Sequence, residues 1–347
     1  MALLLSDANI WLGKLDGVSS ILPDKDVFIG MYVQKEAVAS SQIEGTQASL
    51  TDVLQMNKKK GYKRFDIEEI VNYVHALNFG IKELDKLPIS MRLLKEIHHE
   101  LLNGVRGETK NSGELRHTQN WVGPMGCSLA TATYVPPAVD VMNESLSDLE
   151  KYINSDSNLP GLIKIALIHY QFETIHPFLD GNGRLGRLLI PLWLKENNML
   201  KDPLLYLSLY FKQNRTEYYG LLMDVRFKGY YEQWVKFFLK GVISIAQNAC
   251  IEIEQISKIK KKITKLIDGS NVSNKSKYHE VMDYIYSHPY FDSKEIQAKL
   301  QVSKPTSLKI IKNLCELNII SKANNKQRYV TYRFDEYVGI LETGTEI

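Results

Sequence analysis

Residues 176–187, HPFLDGNGRLGR, separate two stretches of helical periodicity and cannot themselves form core. Ahead of them GLIKIALIHYQFETI (161–175) is apolar around most of its circumference, the mark of a buried helix. Behind them RLLIPLWLKENN (187–198) resumes a helical pattern, in which Pro191 should introduce a kink or a local adjustment. Glycines weaken helix and strand, and an acid, a histidine and two arginines do not pack without partners. A fold that joins two apolar helices through such a segment must be built around a charged, glycine-lined turn.

Gly181-Asn182-Gly183-Arg184-Leu185-Gly186 satisfies G-x-G-x-x-G, but the dinucleotide fingerprint needs a strand before its glycines. Here the preceding residues have helical periodicity, and no Gly-Lys-Ser/Thr follows to make a Walker A loop. Glycines opening a helix leave backbone N–H groups free for an anion, which the helix dipole also favours. Arg184 and Arg187 add planar, permanently charged forks suited to phosphate oxygens. Asp180 is a hard oxygen ligand of the kind that holds Mg²⁺ with nucleotide phosphates. Asn182 can hydrogen-bond a phosphate or a metal-bound water, and His176, with an ordinary pKa near neutrality, is the candidate general base. Base, metal ligand, anion nest and arginine clamp together describe nucleotidyl or phosphoryl transfer from a Mg²⁺-nucleotide.

Elsewhere the apolar spacing of three and four points to a mostly α-helical chain. Helices are expected over 26–44, 66–84, 89–103, 139–153, 212–226 and 230–249, with an amphipathic, lysine-rich one over 250–268. Residues 120–137, rich in Gly, Pro, Thr and aromatics, suit a β-hairpin or extended loop, because Pro136-Pro137 cannot continue a helix. GSNVSNKS (269–276) has linker chemistry. Beyond it, helices at 277–287, 292–300 and 305–317 and strands near 319–322 and 328–334 suggest a winged helix-turn-helix. Nothing in the chain reads as a signal peptide or a membrane span. Cys127, Cys250 and Cys315 are odd in number and in no ligand spacing, which suits a reducing cytoplasm. With a net charge of only +3, the totals do not announce nucleic-acid binding.

The segment 176–187 resembles, position for position, the HxFx(D/E)GNGRxxR signature of the Fic family. The likeness extends over about residues 30–245, through SGELRHTQNWVG (112–123), YVPP (134–137), RTEYYGLL (215–222) and WVKFFL (234–239). It implies a Fic-type helical core with a small β-hairpin flap, and AMPylation: transfer of AMP from ATP to a Tyr, Thr or Ser hydroxyl of a target protein. His176 would then deprotonate the hydroxyl, and Asp180 would bind Mg²⁺ against the α and β phosphates. Gly181, Asn182, Gly183 and Gly186 would line the nucleotide site, and Arg184 and Arg187 would hold the outer phosphates. Thr131, Ala132, Thr133 and Tyr134, in the flap, would border the nucleotide and align the target backbone by β-augmentation. Tyr218 and Tyr219 would lie near the adenine. Where some relatives have an asparagine that touches the nucleotide, this chain has Arg226.

The helix ending at Glu44 puts a carboxylate at its negative pole, just before Gly45, where it is unfavourable unless exposed or matched by a cation from elsewhere. Ser40-x-x-x-Glu44-Gly45 resembles the inhibitory (S/T)xxxE(G/N) motif of Fic proteins. By that resemblance Glu44 pairs with Arg187 and withholds it from ATP, with Ser40, one turn earlier, supporting the glutamate. The implied organisation is an N-terminal helical region with the inhibitory helix (1–88), a catalytic core (89–249), a connecting helix and linker (250–276) and a winged-helix module (277–347). Candidate partners are ATP, a protein with an exposed hydroxyl, a second copy of the chain, and DNA through Lys304, Lys309, Lys312, Arg328 and Arg333. Against DNA, residues 271–347 hold 11 Lys and Arg to 9 Asp and Glu, a slight excess. Two rivals remain open: a hydrolase that removes AMP with Glu44 as base, and a DNA-binding regulator that only senses the nucleotide.

Overall fold

A computed structural model describes residues 1–20, 22, 25–56, 64–105, 110–124 and 126–346; Met125, inside the expected flap, lies outside them. The described helices are α1 (Ala2–Ser19), α2 (Lys25–Ile43), α3 (Leu50–Leu54), α4 (Arg64–Glu83), α5 (Met91–Leu102), α6 (Val139–Asn154), α7 (Gly161–Ile175), α8 (Asn182–Glu196), α9 (Ser208–Gln213), α10 (Arg215–Lys228) and α11 (Tyr231–Gly269). The remainder of the chain forms α12 (Lys275–Ser287), β1 (Tyr290–Asp292), α13 (Ser293–Leu300), α14 (Lys304–Glu316), β2 (Ser321–Lys322), β3 (Thr331–Arg333) and α15 (Asp335–Glu342).

The pair α7 and α8 is the centre of the molecule, and both helices are buried on most sides, as their apolar composition requires. Pro191 lies inside α8 without ending it. Around this pair, α5, α6, α10 and α11 pack as outer helices; Trp234 of α11 donates its indole N–H to Ala166 O of α7 at 2.8 Å. Helix α2 packs against α4 and α9 and reaches α8. It carries two buried charges, and each has the partner that burial demands. Lys35 meets Glu252 at 2.6 Å. Glu36 accepts from Tyr73 Oη of α4 at 2.9 Å and from both the hydroxyl and the N–H of Ser208 in α9.

The stretches expected as two helices, 230–249 and 250–268, are one 39-residue helix. Its buried stripe runs unbroken from Trp234 through Ala249 and Cys250 to Ile267, so the change in composition at 250 alters only the exposed face. Helix α1, not anticipated from the sequence, lies along α11 and supplies that stripe with its cover. Helices α3, α9 and α15 were not anticipated either; each is eight residues or shorter, too brief to show a period.

The flap is less of a hairpin than expected. Among the described residues it contains one antiparallel bridge, Val122 with Tyr134, closed by N–H···O bonds of 2.8 and 3.0 Å, and a 3₁₀ turn at Leu129–Thr131. The C-terminal module has its helices and strands in the expected order, with one further strand, β1. The antiparallel sheet has the order β1-β3-β2, with Phe291 and Lys322 both opposite Tyr332. Lys304, Lys309 and Lys312 are exposed on α14, and Lys312 is paired with Glu316 at 3.6 Å. Among the described residues no helix is long and apolar enough to cross a membrane, and Cys127, Cys250 and Cys315 are free thiols.

Candidate functional site

Helix α7 ends at His176, which caps it in the left-handed region at φ 51°, ψ 61°, an unusual conformation for a histidine. The surroundings hold it there. Its N–H donates to Phe172 O at 3.0 Å, and its carbonyl accepts from Arg116 Nε and Asn120 Nδ2, each at 3.1 Å. Arg116 is fully buried and ties the turn to the flap through the carbonyls of Thr118 and Pro137.

Within the turn, Asn182 closes the loop on itself: Oδ1 accepts the N–H of Phe178 at 2.9 Å and Nδ2 donates to Phe178 O at 2.8 Å. Its amide is therefore engaged by the loop, and what it turns outward is backbone. Gly181 has φ 75°, a conformation that favours glycine, and a Cβ there would also press on His98 Nε2 at 3.3 Å. The first intrahelical bond of α8 is Leu185 N–H to Gly181 O, so the N–H groups of residues 182–184 have no acceptor within the helix. Asp180, beside this N-terminus, accepts from Gly181 N–H at 2.7 Å and is 3.6 Å from both Arg184 and Lys110. Arg184 is 5% exposed, yet its Nε and Nη1 are buried without an acceptor. Unpaired guanidinium donors beside helix N–H groups that lack an intrahelical acceptor are the makings of a cradle for an anion.

A carboxylate of the chain lies in that cradle. Glu44 follows α2 by one residue, and Gly45, at φ 99°, turns the chain away behind it. Glu44 Oε1 accepts from Arg187 Nη2 at 2.7 Å and lies so close over Gly183 that a Cβ there would collide with it. Burial alone would raise the Glu44 pKa, but the charge and hydrogen bond of Arg187, with Arg184 and His176 adding, hold it below its ordinary value. Arg187 is 2% exposed, and its proton is bound more tightly than usual because Glu44 outweighs the effect of burial. The expected support of Glu44 by Ser40 is replaced by a grip on Arg187. Fully buried in the last turns of α2, Ser40 takes Arg187 Nε on its hydroxyl at 2.9 Å and Nη2 on its carbonyl at 3.0 Å.

His176 is held neutral: burial, then the positive charge of Arg226, lower its pKa to about 4, and Glu44 opposes them. Its Nδ1 is buried without a partner. The flap approaches through Tyr134, whose hydroxyl donates to Thr174 O at 2.8 Å and whose ring lies 3.8 Å from the Arg226 guanidinium. Arg226 is anchored on the end of α7, through Thr174 Oγ1 at 3.2 Å and Glu173 O at 3.0 Å. Thr131 and Thr133 are exposed and Ala132 is half-buried, with extended backbone at Ala132.

Two expected nucleotide residues face elsewhere. Gly186 is packed on α7, where a Cβ would strike Glu173 Oε1 and lie 3.1 Å from Phe172, and its carbonyl takes His169 Nδ1 at 2.9 Å. Tyr218 is 1% exposed in an aromatic cluster, stacked on Phe211 at 4.6 Å, and its hydroxyl donates to His169 Nε2 at 2.9 Å. The carbonyl of Gly186 can only accept, so His169 carries its proton on Nδ1 and receives Tyr218 on Nε2. Tyr219 is the more exposed of the two, near enough to Glu44 and Arg187 for both charges to act on its hydroxyl.

Sequence reasoning missed four residues that build the turn: His98, Arg116, Asn120 and Glu173. His98 accepts Gly113 N–H on Nδ1 and so donates from Nε2 to Asp180 O, both at 2.9 Å, while stacking on Phe178 at 3.8 Å. Burial lowers its pKa to about 4, so it holds Asp180 as a neutral ring. Glu173 is buried one turn before His176 with Oε1 unpartnered; burial raises its pKa to about 7 against the pull of Arg187. The sequence signal for Glu173 and His169 was polar residues inside an otherwise apolar helix.

Two family models match the chain: Fic/DOC family N-terminal over residues 2–82 and Fic/DOC family over residues 88–194. A protein adenylyltransferase Fic of Drosophila grimshawi is 32% identical over 141 residues, 40% of this chain and 26% of that protein. Protein adenylyltransferase fic-1 of Caenorhabditis briggsae is 28% identical over 148 residues, 42% of this chain and 26% of that protein. The chain thus spans about a quarter of the length of these curated relatives. Among solved structures, a Fic family protein from Desulfovibrio desulfuricans superposes with a TM-score of 0.60 at 19% identity, covering 95% of each chain. Fic-1 of C. elegans gives 0.54 at 20% identity, over 71% of this chain and 70% of that one. At these identities the superpositions establish a shared fold.

Proposed function

The chain belongs to the Fic/DOC family, and from that premise we propose that it is a protein adenylyltransferase held inactive by Glu44. The observation that carries the reading is the cradle: N–H groups at the start of α8 that have no acceptor within the helix and unpaired donors of Arg184, with a carboxylate already lying over Gly183 and on Arg187. A site that attracts Glu44 by these means suits a triphosphate better, because phosphates present more oxygens and more charge to the same donors.

In the transfer, the target hydroxyl oxygen forms a bond to the α phosphorus as the bond to pyrophosphate breaks, and the hydroxyl proton passes to His176. A neutral imidazole is the form able to take it, and burial with the charge of Arg226 favours that form by lowering the His176 pKa to about 4. Arg184 and Arg187 hold the outer phosphates, and the extended flap segment at Ala132–Tyr134 pairs with the backbone of the target. Asp180 fits Mg²⁺: it is a half-buried hard-oxygen ligand at the cradle, and one protein carboxylate with phosphate oxygens and waters is a common Mg²⁺ arrangement. When bound, the metal neutralises charge on the phosphates. Of the two tyrosines, Tyr219 is the one we place beside the base.

With Glu44 on Arg187, ATP is denied the fork that orients its outer phosphate, and a bound nucleotide is not aligned for attack. A second reading draws on the same carboxylate, which is near enough to His176 for each charge to act on the other: Glu44 as the base for water in removal of AMP. One experiment separates them. Wild type, Glu44→Gly and His176→Ala are incubated with cell lysate and ATP radiolabelled on the α phosphorus, with and without EDTA. Transfer held in check predicts far stronger protein labelling and pyrophosphate release by Glu44→Gly, and none by His176→Ala in either background or in EDTA. Equal labelling by wild type and Glu44→Gly would remove the inhibition; no labelling by Glu44→Gly would remove the transferase.

A further inference from the structure

The turn that presents Glu44 is fastened to a part of the chain remote from the cradle. Gln42, in the last turn of α2, donates from Nε2 to Ala48 O at 3.0 Å and to Thr345 O at 3.1 Å. Both neighbours are carbonyls, so the amide must turn its nitrogen toward them, and its Oε1 is left buried without a partner. The first bond closes the turn on itself, and the second ties it to the segment after α15. A second tie runs parallel to it: the Thr51 hydroxyl of α3 donates to Glu342 Oε1, and the other oxygen of Glu342 takes Arg333 of β3 at 2.7 Å.

The segment that receives Gln42 is itself firmly seated. Thr345 is 2% exposed, and its N–H and hydroxyl both return to Glu342 O at 2.9 Å. Gly344, at φ 83°, lies so near Leu209 of α9 that a Cβ would be 2.9 Å from it, and Lys212 of the same helix donates to Glu346 O. Residues 343–346 therefore form a wedge between α9 and the turn after α2. On its other side the turn is held by α4, with Thr46 Oγ1 on Glu69 at 2.9 Å.

The Glu44 side chain is 39% exposed and makes one hydrogen bond, to Arg187. Where its carboxylate stands is thus decided by the backbone of residues 42–48 more than by contacts of its own. We propose that Gln42 is a positioning residue for Glu44, and that through Gln42 and Thr51 the C-terminal module sets how firmly Glu44 is held on Arg187. The inference rests on the inhibitory reading above and names its control. Contacts made only while Glu44 is held bias the balance between held and released, and they do so without touching the cradle. Any event that moves α15 relative to α2 shifts that balance.

The test is a double-mutant cycle on AMP incorporation into lysate protein from radiolabelled ATP, with the full chain. Gln42→Ala removes both bonds of the amide, and Thr51→Val removes one hydroxyl at nearly constant volume. With Glu44 present, Thr51→Val should raise labelling about fivefold, about 1 kcal/mol, the worth of one such hydrogen bond, and Gln42→Ala, which loses two, by at least as much. In the Glu44→Gly background neither should change the rate, because nothing remains to be positioned; a merely structural defect would lower the rate in both backgrounds alike. No rise with Glu44 present, or the same factor in both backgrounds, would overturn the inference while leaving the inhibitory reading intact. If Glu44→Gly itself fails to exceed wild type, the inhibitory reading falls and this inference falls with it.

Discussion

Ser40→Ala tests the grip on Arg187 at the point the sequence least suggested. Three hydrogen bonds join α2 and its turn to this guanidinium: 2.9 Å to Ser40 Oγ, 3.0 Å to Ser40 O and 2.7 Å to Glu44. Two of the three come from Ser40, which is fully buried, whereas the Glu44 side chain is 39% exposed and its ion pair partly solvated. Removing the hydroxyl leaves a buried, charged N–H without an acceptor, which costs about 2 kcal/mol. Alanine loses only one oxygen of volume and is the better helix former, so α2 itself should not suffer. When Glu44 and α2 release Arg187, Nε faces phosphate or water, so the cost falls on the held state alone. At about 1.4 kcal/mol per factor of ten, the held-to-released ratio drops about thirtyfold. Labelling of lysate protein from radiolabelled ATP should therefore rise up to about thirtyfold, with the Glu44→Gly rate as its ceiling. A wild-type rate for Ser40→Ala, alongside an active Glu44→Gly, would refute the reasoning. It would mean that Arg187 serves ATP without leaving Ser40, and that Glu44 acts only by occupying the cradle.

Two further outcomes follow from buried groups around α2 and the turn. Burial raises the Glu36 carboxyl from 4.5 to about 7, against hydrogen bonds from Ser208 and Tyr73 and the charge of Arg187. A raised acid contributes stability that is full below its unfolded pKa and is lost as pH rises toward the folded value, here between about 4.5 and 7. Glu36→Gln should thus gain about 2–3 kcal/mol on wild type between pH 5 and pH 7.5 in urea unfolding; a difference independent of pH would contradict the assignment. His98→Leu preserves the packing on Phe178 but abandons Asp180 O and Gly113 N–H. In the Glu44→Gly background it should cost about 2–3 kcal/mol of stability and raise the Mg²⁺ needed for half-maximal labelling. A shift in the urea midpoint with no change in Mg²⁺ demand would confine His98 to packing.

The long helices were legible because period is local: 161–175 was read residue for residue as α7, and α2, α4, α5, α6 and α10 were placed within about three residues. Helix α1 is not legible in the sequence because the partner its apolar residues face is α11, far along the chain. The break expected at 250 came from a change on one face of α11, and the buried face ignored it. In the site, the density of charged residues and glycines singles out His176, Asp180, Gly181, Gly183, Arg184 and Arg187, and they lie along the turn from α7 into the start of α8. Gly186 and Tyr218 were assigned by resemblance alone, and the packing of α7, α8 and α10 turns them inward.

By itself the sequence determined where chemistry is concentrated. Glycines that start a helix, with an acid and two arginines at fixed spacing, generate an anion cradle through backbone geometry within a dozen residues. It also marked Glu44 as a carboxylate set against its helix dipole, to be either exposed or matched by a cation from elsewhere. What it could not decide is who holds whom. Arg187 belongs to Ser40 as much as to Glu44, His98 fastens Asp180, and Gln42 reaches Thr345, 303 residues away. Each of these is a bond between elements whose separation along the chain carries no period, and hydrogen bonds act over about 3 Å, so only the packing of α2, α5, α8 and α15 brings them into range.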